Sequence, residues 1–533
     1  MLVALVFAIP VLTVFGFVFY GDSQVLAHLA DTVLADYVLN SFWLVLGVSY
    51  GTLSIGITCA WLVSVCEFPG RRWFQWMLLL PMAMPAYIIA YTYTGMLDFA
   101  GPVQTSLREW FGWGYGDYWF PEIRSLWGAM VMLSLVLYPY VYLLARAAFM
   151  QQSVAALEAS RTLGAGPWQS FFKVALPMAR PAIIAGLSLA LMETLADYGT
   201  VQYFGVNTFT TGIFRTWYGL GDSAAAAQLS AMLLIMVFAL VAIERYSRRR
   251  VRYHHHSLRQ AQHPRYQLNR RQGWLAAVAC FIPLLFGFLL PFMQLLTWTL
   301  ETAAEMLDAA YLQLVFNSLM LASMAAVLAL LLALFMAYGQ RLRPVLAVQT
   351  AVRISAMGYA IPGTVIAVGV MIPLAMLDQA LDDWLRQHWG VSSGLLFSGT
   401  VVALMFAYMV RFLAVSIGTV EAALTKIRPS MDDAARSLGY RPWQVLQKIH
   451  IPMMRTSLLT AVLMVFVDVL KELPATLILR PFDFNTLAVR AYELASDERL
   501  ADASTAAVAI VLTGIIPVLL LSRSISRSGN HDE

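Results

Sequence analysis

Stretches of about twenty predominantly apolar residues recur along this chain, separated by short polar loops. A ~30 Å hydrocarbon core is crossed by roughly that many residues at 1.5 Å rise each. Twelve such stretches fall near residues 1–20, 40–65, 74–97, 125–149, 181–204, 227–243, 274–299, 313–339, 352–376, 396–417, 456–479 and 504–522. Each is expected to be helical, because a lipid-exposed backbone has to satisfy its own hydrogen bonds. The pattern predicts an all-α, polytopic membrane protein with about twelve transmembrane helices.

Composition agrees. Of 533 residues, 60% are hydrophobic and 12% charged, about half the charged share of a soluble domain. Cys59, Cys66 and Cys280 lie in apolar segments without paired spacing, which reads as small buried residues without disulfide or zinc. The opening run, Met1 to Tyr20, lacks a basic flank and a small-residue cleavage site. It reads as a retained first span, and the missing flank also allows a start further upstream. Lys and Arg concentrate at Arg71–Arg72, 150–178, 245–271, Arg341–Arg343–Arg353, 418–452 and Arg523–Arg527, while Asp22, Asp31, Asp36, Glu301, Glu305 and Asp308 occupy the other side. The bias of basic residues toward the cytoplasm then orients the chain, with both termini inside. The stretch at 245–271 has nine arginines, four histidines and no acid. It reads as a tether against anionic lipid, with a nucleic-acid or metal patch around His254, His255 and His256 as the alternative.

The chain also matches itself. Asn40-Ser41 and Asn317-Ser318 open the second and eighth spans, and Ala83-Met84-Pro85 meets Ala360-Ile361-Pro362, both at an offset of 277. Further on the offset is 275, pairing Gly164, Pro167, Trp168, Gln169, Pro177, Met178 and Arg180 with Gly439, Pro442, Trp443, Gln444, Pro452, Met453 and Arg455. Two tandem six-helix halves follow, related by an axis along the membrane normal. The expected division is 1–37 (first span and loop), 38–243 (first copy), 244–273 (basic linker), 274–312 (seventh span and loop), 313–522 (second copy) and 523–533 (tail).

The loop after the fourth span reads Glu158-Ala159-Ser-Arg-Thr-Leu-Gly164, nine residues, then Val-Ala-Leu-Pro177. The loop after the tenth reads Asp433-Ala434-Ala435-Arg-Ser-Leu-Gly439, nine residues, then Ile-His-Ile-Pro452. Small residues before a Gly, with a Pro at the start of the next span, predict a compact helix–turn–helix knob able to enter a cleft on another protein. These loops resemble the EAA loops of ABC importer permeases of the type I fold, departing by Asp433 for Glu and Ser160 for Ala. The resemblance implies two docking sites for two copies of an ABC ATPase. The chain has no phosphate-binding G-x-x-x-x-G-K-[ST] loop, so no cofactor is expected on it, and ATP-Mg and its hydrolysis are expected in the partner. No enzyme activity is expected, and no nucleic-acid partner.

Four acids sit at apolar positions: Glu193 and Asp197 in the fifth span, Asp468 and Glu472 in the eleventh. An intramembrane carboxylate costs about 2.5–3.5 kcal/mol near a helix centre, so it needs a reason. The i,i+4 spacing predicts both acids of each pair on one helix face. One reading makes them the lining of a translocation path whose hard oxygen donors suit a hard cation. The other pairs them locally with Lys471, Arg180, Arg455 or Arg411. No stable metal site is expected. The segments at 195–218 and 467–498, above all Lys471-Glu-Leu-Pro-Ala-Thr476, look like those of fused ferric-iron ABC permeases. That resemblance implies a bacterial inner-membrane protein receiving Fe³⁺ from a periplasmic ferric-binding protein. A thiamine, polyamine or aminophosphonate permease is the alternative, and an ion-gradient-driven secondary transporter a more distant one.

Overall fold

The computed structural model describes residues 1–20, 24–114, 116–151, 162, 164, 166–249 and 265–528. Among them, eleven helices are long and apolar enough to cross a membrane, and one further pair of helices forms a bent span. In chain order they are α1 (Leu2–Tyr20), α2 (Leu34–Val65), α3 (Ala86–Leu97, the far limb of the bent span), α4 (Leu126–Gln151), α5 (Leu176–Ala196), α6 (Ser223–Arg249), α7 (Arg270–Met306), α8 (Ala309–Leu342), α9 (Gly363–Trp389), α10 (Val401–Thr425), α11 (Ile451–Leu470) and α12 (Leu500–Ser528). The one sheet among the described residues is a two-residue parallel bridge, Cys66–Glu67 with Tyr266–Gln267.

Several spans are not the uninterrupted helices that the apolar runs suggested. The third is bent by 90° between Arg71–Ala83 and Ala86–Phe111. A Leu80–Ala83 3₁₀ turn ends at extended Met84, and α3 starts after Pro85. Before α9, a Gly358–Ala360 turn ends at extended Ile361, followed by Pro362. Both breaks have one cause: a proline disfavours helical geometry in the residue before it. The fifth and eleventh spans also end early, at Ala196 and Leu470, and short helices Gly199–Tyr203 and Pro474–Leu479 follow.

Structural detail repeats with the sequence register. Asn40 Nδ2 donates to the Asn207 carbonyl at 2.9 Å, and Asn317 Nδ2 to the Asn485 carbonyl at 3.3 Å. The expectation that Pro177 and Pro452 open their helices does not hold. Helix begins ten residues earlier, at Pro167 and Pro442, and passes through π turns at Phe171–Ala175 and Leu446–His450. A proline removes one ladder bond and crowds the carbonyl four residues back, and a π turn accommodates both without ending the helix.

The halves embrace. α1 packs on α9 and on the Leu346–Ser355 helix of the second half, as well as on α6. α7 packs on α12 but also on α2, α3 and α4 of the first half. Within the second half, Ala322, Ala325, Ala326, Ala329 and Ala333 form a fully buried stripe on α8. Small residues of this kind let helix backbones approach closely where lipid removes the usual hydrophobic drive.

Candidate functional site

The second of the two loops expected to dock a partner is well formed. Pro429 starts the Pro429–Ser437 helix, and Gly439 turns the chain after it with φ +81°, the left-handed region where a Cβ is penalised. Gly164, its counterpart, has φ +83°. Asp433 and Ala434 face outward while Ala435 is buried. Leu438 and Trp443 present 77% and 62% of their surface to solvent beside them, an apolar knob with an acidic edge. In the first loop Glu158 and Ala159 lie outside the described residues.

A clamp that the sequence did not reveal fixes the second loop. Arg341, at the end of α8, donates from Nε to Asp432 Oδ2 at 2.8 Å, and from its two terminal nitrogens to the carbonyls of Leu424 (2.6 Å) and Ile427 (2.9 Å). The fully buried His450, in the π turn leading to α11, meets Asp432 Oδ1 at 2.6 Å. Burial would raise the Asp432 carboxyl, but the hydrogen bonds from Arg341 and His450 outweigh it and hold it below the usual carboxylate range. The docking helix is thereby tied to α8, α10 and α11 together. At the matching positions the first half has Leu157 and Ala175.

The four intramembrane acids come together. Glu193, Asp197, Asp468 and Glu472 all line one cavity of about 110 Å³ between the halves, with Arg411, Lys471, Tyr140 and Tyr359. Their roles differ, and the expected one-face spacing does not hold. Asp197 lies just past the end of α5, and Glu472 two residues past the end of α11. Each caps the short helix beyond its break. Asp197 accepts from Thr200 Oγ1 (2.9 Å) and the Val201 amide (3.1 Å), and Glu472 Oε1 from the Ala475 amide (2.9 Å). A carboxylate at a helix start takes up amides that have no partner within the helix. The clue was legible as an acid two residues before a helix-opening Gly or Pro, in Asp197-Tyr198-Gly199 and Glu472-Leu473-Pro474.

Cations answer part of the charge. Arg411 Nη1 is 2.8 Å from Glu472 Oε2, and its Nη2 is 3.8 Å from Glu193 Oε2. Lys471 Nζ is 2.8 Å from Asp468 Oδ1. Arg180 and Arg455 are not among the lining residues. Four carboxyl groups thus face two cations, a formal excess of two negative charges when all four are ionised. Among the described residues no group of three His, Cys, Asp or Glu side chains is arranged to hold a metal ion.

The family described as "Binding-protein-dependent transport system inner membrane component" matches residues 52–253 and again residues 329–528. The chain belongs to this family. It is the membrane permease of an ABC importer, duplicated within one polypeptide. The permease is 24% identical over 498 residues to Fe(3+)-transport system permease protein FbpB 2 of Haemophilus influenzae, covering 92% of this chain and 90% of that one. It is 30% identical over 194 residues to the molybdenum transport system permease protein ModB of Escherichia coli, covering 36% and 82%. To the sulfate transport system permease protein CysT of Escherichia coli it is 27% identical over 238 residues, covering 43% and 80%.

Proposed function

We propose that this permease passes ferric iron from a periplasmic binding protein to the cytoplasm. Two copies of a separate ATPase, which hold the ATP-Mg, engage the loops around Gly164 and Gly439 from the cytoplasmic side, where both termini also lie. The observation that carries the cation reading is the carboxylate cavity at the junction of the halves, with its formal excess of negative charge. Such a cavity repels an anion such as the sulfate named for one shorter relative and attracts a hard cation. Whole-length similarity to a ferric permease supports the same choice.

The clamp at Asp432 supplies the coupling route. A shift of the docking helix is passed through Arg341 and His450 to α8 and α11, and α11 ends at the acids of the cavity. The test is uptake of radiolabelled ferric iron by vesicles holding the permease, its ATPase and the binding protein. Uptake is expected to require ATP and to persist when the proton gradient is collapsed. Iron uptake that survives deletion of the permease, or a deletion strain starved of thiamine instead of iron, would overturn the assignment.

A further inference from the structure

We propose that Arg411 is a tethered counter-ion: its guanidinium occupies the carboxylate cage between cargo ions and is displaced by each trivalent cation that passes. The trivalent charge of the cargo rests on the ferric reading, whereas the counter-ion role of Arg411 in the empty cage does not.

Arg341, half-buried, and Arg411, buried, make a contrast. Each nitrogen of Arg341 makes a bond, Nε to a carboxylate and both terminal nitrogens to carbonyls. The Arg411 side chain is more deeply buried, 7% exposed, and is held by Glu472 at 2.8 Å through Nη1, while its Nε has no hydrogen-bond partner and its Nη2 reaches Glu193 only at 3.8 Å. Glu472 holds one end of the guanidinium, and the rest faces carboxylates of the cavity without a short bond.

Arg411 is also a device of one half alone. Whether the 275 or the 277 offset applies on α4, its counterpart falls among Ser134, Leu135 and Val136, none charged. The first half has Ala86 where the second has Gly363. A Cβ at Gly363 would press on Arg411 Nη1 and lie 2.7 Å from Glu472 Oε1. The loss of one methyl group from the repeat therefore makes the recess in which this pair sits.

The charge count fits exchange. With Arg411 in place the cavity carries a formal excess of two negative charges. With the guanidinium withdrawn it carries three, the number a trivalent cation neutralises. Burying uncompensated carboxylates is costly, so an occupant between turnovers stabilises the empty cage. The returning guanidinium then weakens the hold on the cargo, as conduction requires of any intramembrane ion site.

Terbium(III), a hard trivalent ion whose luminescence is sensitised by nearby Tyr and Trp, reports on the cage directly. The purified permease–ATPase complex is titrated with it. Arg411→Gln is expected to bind terbium at least tenfold more tightly than wild type, and Arg411→Lys to stay within threefold. Adding Glu193→Gln to Arg411→Gln is expected to abolish the gain. Ferric uptake by Arg411→Gln should fall at least fivefold, because the ion is held too long. If Arg411→Gln does not assemble, Gly363→Ala carries the test: it displaces the guanidinium without changing the charge count and should tighten terbium binding in the same direction. Unchanged affinity in both variants, or a gain that survives Glu193→Gln, would overturn the proposal. A wild-type complex that takes up no iron would refute the ferric reading, while the ranking of terbium affinities would still judge Arg411.

Discussion

Replacing Asp432 by Asn tests whether the second docking loop is held by its clamp. Asp432 accepts two short charge-assisted bonds, from Arg341 at 2.8 Å and His450 at 2.6 Å, with only 11% of its side chain exposed. Bonds to charged groups contribute about 1.5–3 kcal/mol each. Asn keeps one acceptor oxygen and loses the charge, so the clamp should weaken by about 2–3 kcal/mol, most of one such bond. At about 1.4 kcal/mol per decade, the ratio of docked to undocked loop falls roughly 30- to 150-fold. Hydrogen exchange of the Pro429–Ser437 amides in the detergent- or nanodisc-borne protein reads this ratio directly. Asp433→Asn is the control for loop protection, because Asp433 is 72% exposed and meets only Arg436, at 3.9 Å. Protection in Asp432→Asn within twofold of wild type would refute the clamp. The same measurement has a pH arm. Because the folded Asp432 pKa is depressed, its contribution is fully present above the unfolded value near ~3.9 and is lost only as pH falls through the folded value. Loop protection in the wild type, corrected for intrinsic exchange rates, should therefore be flat from about pH 8 to about pH 5.

Gly439→Asp places a side chain at φ +81°, costing about 1–2 kcal/mol of loop geometry. Membrane insertion should be normal while ATPase stimulation and transport drop sharply, and normal transport by a stable Gly164→Asp, Gly439→Asp double variant would defeat this. Glu472→Gln leaves Arg411 without its closest partner, a loss of about 3–5 kcal/mol, and should lower yield of assembled complex. Asp197→Asn keeps an acceptor for the Val201 amide, should cost under about 1 kcal/mol, and should assemble normally; equal yields of the two variants would contradict the difference in their pairing. Alkaline phosphatase fused at residues 250–270 should be inactive and one inserted near Asp382 active, and the reverse would overturn the orientation.

Hydrophobic run length and self-similarity made the span count, the duplication and the helix with its glycine turn at 429–439 legible, because each imposes a periodic constraint on sequence. What stayed hidden was where helices stop. Apolar residues continue through Asp197 and Glu472, so hydropathy carried the spans across breaks that were marked only by local Gly and Pro chemistry. That error put four acids on two helix faces, when two of them terminate one helix and start another. Arg411 was visible as a buried charge, but its partners are 218 residues upstream and 61 downstream, at Glu193 and Glu472, and no local pattern links them. The Arg341–Asp432–His450 clamp was masked for a further reason. Asp432 stands beside Asp433, the residue the loop motif selects, and the sequence gives no sign that the two acids face opposite ways.

The crossing of α1 and α7 changes what counts as a moving part. The natural cut by sequence lies at the basic linker, but cutting there would release neither half, since α1 lies along α9 and α7 along α2, α3 and α4. The carbonyl of Pro10 rests directly against Gly369, with no space for even a methyl group between them. α1 is held between α9 and α6, and α7 between α12 and the first half, so each helix bridges the two gene segments. The halves are joined like clasped hands, and a chain severed at the linker should still assemble from its pieces.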